Sequence, residues 1–263
     1  MSMDHEQITE KNAFVENNYI AIDLETTGLD AKRDKIIEIG VIRILDGKKA
    51  GEYHSMVNPH RELEERITEL TGITCEMVEN APDIGDILGD ILEFCGNFPL
   101  LGHHVIFDYS FLKRAMVNHG FSFDRKGIDT LKLCRCFMEE GESKSLEAAC
   151  ARFGIERQQA HRALGDAWDA HCLYQKLVRE FGNKLESRGA ENADKQKGME
   201  AFAAKPMIYK VKREQPASKK QKEDLRYLLK YHKIDLPVEI DFLSRNEVSR
   251  LKDKIISQYG RIS

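Results

Sequence analysis

No apolar run in this 263-residue sequence approaches the roughly 18 residues needed to cross a bilayer, so no membrane-spanning helix is expected. The opening Met1-Ser2-Met3-Asp4-His5-Glu6 lacks the basic and apolar regions of a signal peptide, and a cytoplasmic location is expected. Tryptophan is nearly absent: the single Trp168 is assigned to packing. The six cysteines show no C-x-x-C spacing, which argues against a thiolate metal site or redox pair and for reduced, partly buried thiols. Internal repeats are also lacking, so a solenoid is excluded. Hydrophobic residues at 41% with 32% charged describe a soluble globular chain with some excess polar sequence.

The net charge of −4 conceals two unlike parts. Residues 1–182 hold 21 Lys and Arg against 32 Asp and Glu, whereas residues 183–263 hold 19 against 12. Different partners are expected for the two. The division expected is a domain over 1–182, a polar tether over 183–217 whose residues 183–198 have no apolar period and in which Met207–Val211 is a candidate short extended or docked piece, and a small basic helical module over 218–263. In the module, Ser244 with Glu247 three residues on has the form of a capping box.

The acidic part opens with Tyr19-Ile20-Ala21-Ile22-Asp23-Leu24-Glu25-Thr26-Thr27-Gly28. Its β-branched and aromatic run ending in Thr-Gly reads as a buried strand. Alternation sends Asp23 and Glu25 to one face, where two neighbouring carboxylates would be relieved by a divalent cation. Lys35–Leu45 alternates as a second strand, and Asp46-Gly47 makes a hairpin turn into a third over Ala50–Val57. Pro82 suits the first position of a helix carrying Ile84, Ile87, Leu88, Ile91 and Leu92. A short strand at Phe98–Leu101, a helix over Val105–His119, a strand at Gly127–Leu131 and further helices to about Phe181 follow. Hairpin strands and then strand-helix alternation imply an α/β fold, a mixed sheet flanked by helices.

Two more carboxylates fall at predicted helix starts: Asp108 in His104-Val105-Ile106-Phe107-Asp108, and Asp166 five residues after His161. In one helix, positions five apart lie roughly 140° apart around the axis, so His161 is expected in the loop before the helix, free to reach the carboxylates.

Taken in order, D-x-E-T-T-G, H-x-x-F-D and H-x4-D resemble the three motifs of the DEDDh 3′→5′ exonucleases, over about Asn17 to Phe181. The match is nearest to the epsilon proofreading subunit of bacterial DNA polymerase III. The resemblance implies a ribonuclease-H-like fold, hydrolysis of phosphodiester bonds, two Mg²⁺ or Mn²⁺ ions, and a single-stranded 3′ end as substrate, DNA ahead of RNA. It implies that Asp23 bridges both ions, that Glu25 and Asp166 help bind one and Asp108 the other, and that His161 takes the proton of the attacking water. It also implies that Thr26, Thr27, Gly28 and Leu29 grip the terminal nucleotide, with Leu29 against the base. Phe107 is a further candidate to stack on a base. At His104 the sequence departs from the family, which usually has Asn there. An RNA-trimming enzyme would use the same five residues, and a catalytically silent nucleic-acid-binding protein is the reading from another class. In the tether, Gln196-Lys197-Gly198-Met199 followed by Phe202 resembles a sliding-clamp-binding peptide with one residue too many, and a replication polymerase is the other partner considered.

Overall fold

The computed structural model describes residues 15–157, 160–182 and 200–261. Three antiparallel strands open it: β1 (Tyr19–Thr26), β2 (Ile36–Leu45) and β3 (Lys48–Met56). After helices α1 (Glu65–Thr71), α2 (Cys75–Glu79) and α3 (Ile84–Cys95) come β4 (Leu100–Gly102), α4 (Ile106–Asn118) and β5 (Lys126–Asp129). Helices α5 (Thr130–Phe137), α6 (Leu146–Arg152) and α7 (Ala163–Leu177) follow. With a sixth strand, β6 (Lys205–Pro206), the sheet has the order β3-β2-β1-β4-β5-β6, and β1, β4 and β5 are mutually parallel. Pro82 lies ahead of α3 rather than in its first turn; the helix begins at Ile84, after Asp83.

Strand alternation decides which layer each residue of β1 meets. Ile20, Ile22 and Leu24 face one core, shared with α3 and α4 through Leu88, Tyr109 and Leu112. Tyr19 and Ala21 face the other, packed with Ala170, Leu173 and Tyr174 of α7. Asp23 and Glu25 have the parity of Tyr19 and Ala21, so the carboxylates stand on the face that α7 covers.

The second half of the stretch expected as a tether is instead docked along the domain; residues 183–199 lie outside the described residues. Phe202 is fully buried, stacked on Phe137 with ring centroids 5.2 Å apart. Strand β6 (Lys205–Pro206) pairs with the edge strand β5, Met207 and Tyr209 pack on the first core, and Arg114 pairs with Glu214 at 2.5 Å. The clamp-peptide reading loses its aromatic anchor: Gln196–Met199 are outside the described residues, and Phe202 belongs to the core.

The terminal module is α8 (Lys219–His232) and α9 (Arg245–Tyr259), joined by a 3-10 turn at Ile240–Phe242. Capping boxes start both helices, Ser218 with Gln221 and Ser244 with Glu247. The module has its own small core around Leu225, Leu243 and Val248. It is seated on the domain by backbone bonds from Glu62 N–H to the Pro237 carbonyl (3.0 Å) and from Glu239 N–H to the His60 carbonyl (2.9 Å). An ion pair from Lys35 to buried Glu247 at 2.9 Å adds to the seam. Among the described residues no helix is long and apolar enough to cross a membrane, and all six cysteines are unpaired thiols.

Candidate active site

Three of the four expected carboxylates converge at the end of β1. One oxygen each from Asp23, Glu25 and Asp166 lies within 4.8 Å of the others. The first two come from the strand. The third comes from the first turn of α7, whose start is laid across β2 and β1. Asp108 approaches from the opposite layer, on α4; it is buried and accepts the Leu24 N–H at 3.0 Å, which fixes it against the backbone between Asp23 and Glu25.

So much like charge in so little water shifts the protonation of the group. Burial, then Asp108, Glu25 and Asp166, push the Asp23 carboxyl well above the ordinary carboxylate range. Burial and then Asp166 and Glu38 raise Glu25 from 4.5 to about 7, against the opposing pull of Arg162. Asp108 is raised by burial too, although its own N–H and that of Leu24 favour the carboxylate. Crowded carboxylate oxygens are hard donors that suit a hard divalent cation, so Asp23, Glu25 and Asp166 fit such an ion.

His161 lies where the helical geometry required, outside α7, exposed, in the left-handed region at φ 58°. Leu29 is 88% exposed. Thr26 and Thr27 are buried and their hydroxyls hold the turn: Thr26 donates to the Gly28 carbonyl at 2.6 Å, and Thr27 accepts the Lys35 N–H at 3.0 Å. Both hydroxyls thus shape the loop that precedes Leu29. A Cβ at Gly28 would lie 2.5 Å from the Asp34 carboxylate, so a larger residue there would have to displace that side chain. Phe107 is half-buried against Phe111, with centroids 4.9 Å apart. His104 is exposed at φ 72°, a conformation that asparagine adopts more readily than histidine, and its N–H donates to Asp129 at 3.0 Å. Trp168, assigned to packing, is 39% exposed beside His171.

Sequence reasoning missed three residues around this cluster. Arg157 ties Asp166 to Asp169, bonding the latter at 2.8 Å. Buried Glu38 faces Glu25 across the β1–β2 ladder and binds Arg162. No spacing rule connects Glu38 with Arg162, 124 residues apart in the chain; a glutamate inside an apolar strand was the available signal. A cavity of about 630 Å³ lies elsewhere, at the seam with the terminal module, lined by His60, Arg114, Glu214 and Phe242 among others.

A mixed sheet carrying convergent carboxylates at the end of its central strand defines a hydrolase of the ribonuclease-H-like class. The profile of the RNase_T exonuclease family matches residues 20–172, and the chain belongs to that family. It is 39% identical over 160 residues to a PolC-type DNA polymerase III of Thermotoga petrophila, a match covering 59% of this chain and 11% of the relative. The chain thus spans about a tenth of the length of such relatives. Among solved structures it resembles Exonuclease X in complex with 5′ overhanging duplex DNA, with TM-score 0.51 and 25% identity, covering 62% of this chain and 93% of that one. It shares the fold of E. coli Exonuclease I in complex with a dT13 oligonucleotide, with TM-score 0.55 and 19% identity over 69% and 46% of the two chains.

Proposed function

We propose that this chain is a metal-dependent 3′→5′ exonuclease that removes nucleotides from single-stranded DNA ends, with Asp23, Glu25, Asp108, Asp166 and His161 as its working residues. The observation that carries the reading is the convergence of Asp23, Glu25 and Asp166 within 4.8 Å, in a chain of the exonuclease family. Two Mg²⁺ or Mn²⁺ ions held by the four carboxylates would supply positive charge to the scissile phosphate and make a neighbouring water more acidic. The protein's own part is then to hold and orient. Asp23 and Glu25 are fixed by pairing of β1 with β2, Asp166 by the first turn of α7 and Asp108 by the Leu24 N–H. His161, on its exposed turn, takes the proton from the attacking water as general base. Leu29 meets the terminal base, and His104 and Phe107 line the approach on the α4 side.

Kinship with PolC-type polymerases and likeness to Exonuclease X favour DNA over RNA, and work beside a replication polymerase in the manner of the epsilon subunit. Six unpaired thiols suit a reducing cytoplasm. In the division of labour we propose, the first 182 residues and the docked 200–217 stretch form the nuclease, and residues 218–263 form a separate helical module seated on it.

The test is a pair of matched 5′-labelled single strands, one DNA and one RNA, with Mg²⁺, with Mn²⁺ and with EDTA. A ladder shortening from the 3′ end of the DNA, abolished by EDTA, is expected. Faster loss of the RNA would make the chain an exoribonuclease, and cleavage insensitive to EDTA would remove the metal assignment.

A further inference from the structure

We infer that Glu38 is a positioning residue for His161, holding the turn that carries it through Arg162. The inference rests on the reading of His161 as the general base.

Glu38 sits near the start of β2, 1% exposed, in a strand dominated by Ile and Val. A carboxylate is costly to bury unless every lone pair is used. Here they are. Arg162 approaches side-on, with Nε 3.0 and 3.2 Å from the two oxygens and a terminal nitrogen 2.8 Å from the first. His54, from β3, contributes Nε2 at 2.7 Å. The Ala163 N–H donates to the second oxygen at 3.0 Å.

That last bond gives the arrangement its meaning. Arg162 is the residue before α7 and its side chain makes no bond to the helix end, so the first N–H groups of α7 need an acceptor from elsewhere. Glu38 supplies one from 125 residues away in the chain, with a negative charge at the positive end of the helix. The contact is made flush by Gly40, two residues on and on the same face of β2. A Cβ at Gly40 would lie 2.4 Å from backbone atoms of Ala163 and Leu164, so only glycine lets the helix start lie on the strand.

The chain therefore leaves the helix start with Arg162 fixed in side chain and Ala163 fixed in backbone. His161 is the next residue, at φ 58°, a left-handed conformation that a free histidine seldom keeps. Asp166 is tied to the same turn by its helical N–H bond to the Arg162 carbonyl at 3.0 Å, and its carboxylate is held by Arg157. Glu38 touches neither substrate nor His161. Its part is to keep one turn in one place, and a displacement of about 1 Å in a reacting group costs on the order of a hundredfold in rate.

The experiment is a double-mutant cycle in the full chain between Glu38→Gln and His161→Ala, with Arg162→Lys as a second route because Arg162 is partly exposed and its replacement spares the core. Glu38→Gln and Arg162→Lys should each lower kcat about 10- to 100-fold with KM within about threefold. Because Glu38 and Arg162 also bear electrostatically on Glu25, kcat is compared at saturating Mn²⁺, and amide exchange should quicken at Ala163. In the His161→Ala background, Glu38→Gln should cost less than about threefold, because the base it positions is gone. An equal loss from Glu38→Gln in both backgrounds overturns the inference. So does a kcat within twofold of wild type in both Glu38→Gln and Arg162→Lys, or a loss recovered by raising Mn²⁺, which would place the effect on the carboxylates. If His161→Ala itself keeps near-wild-type kcat, the general-base reading falls first, and this inference with it.

Discussion

Glu25→Gln in metal-stripped protein tests the electrostatics of the site without relying on turnover. In the folded chain Glu25 titrates at about 7, against 4.5 unperturbed. Between those values the native state keeps a proton that the unfolded chain has released. Stability from this group is therefore present in full below 4.5, falls as pH rises and levels off above 7. At about 1.4 kcal/mol for each tenfold change in proton affinity, the loss is about 3 kcal/mol. Glutamine is neutral throughout and keeps the shape, so it removes the slope. The unfolding free energy of the variant minus that of wild type should climb from near zero at pH 4.5 to about 3 kcal/mol at pH 8. For a chain of this size that is a gain of about 6–12 °C in Tm. Urea and thermal unfolding in EDTA, at half-unit steps of pH, give the curves. Mg²⁺ added at pH 8 should stabilise wild type more than the variant, since a ligand of the folded state adds stability in proportion to its binding. Parallel curves for variant and wild type across the window would refute the reasoning, for they would mean that Glu25 is as well solvated in the folded chain as in the unfolded one.

Asp23→Ala and His161→Ala should each lower kcat by at least about a thousandfold with the far-ultraviolet circular dichroism unchanged, and activity of Asp23→Ala within tenfold of wild type would end the proposed mechanism. Gly40→Ala forces α7 off β2, at an expected cost of about 1–3 kcal/mol in urea unfolding together with a fall in kcat at temperatures where the variant is fully folded; unchanged stability would show that the helix start yields freely. His104→Asn should retain activity and gain about 0.5–1 kcal/mol, because asparagine tolerates φ 72° better, and a complete loss of turnover would give the imidazole a duty of its own. In the basic module Lys222 and Arg226 are already engaged by Asp241, and removing everything after Phe181 would also strip Phe202 from the core. Reversing the charge at the exposed Lys219, Lys220 and Lys230 should instead weaken binding to long single strands and flatten its salt dependence while sparing a dinucleotide ester; an unchanged salt slope would point to a protein partner for α8.

Some of this protein was already determined by local sequence. Alternation in β1 puts Asp23 beside Glu25 because a strand has a period of two, and five residues of helix cannot bring His161 over Asp166, so His161 had to precede α7. The same local rules located the hairpin of β2 and β3 and the capping box at Ser244. Tertiary structure decided the rest. Phe202 reads locally as the end of a solvent-facing peptide, and only the stacked rings of Phe137 and Phe181 make it core. Lys205 and Pro206 become a strand only because β5 offers an edge. Glu38 looks like an intrusion in an apolar strand until the fold lays Arg162 and Ala163 against it. Periodicity records which face a residue takes and never what lies opposite that face. Partners more than a hundred residues apart are fixed by sheet register and by the path of α7 across β2, and that path exists because residue 40 is glycine.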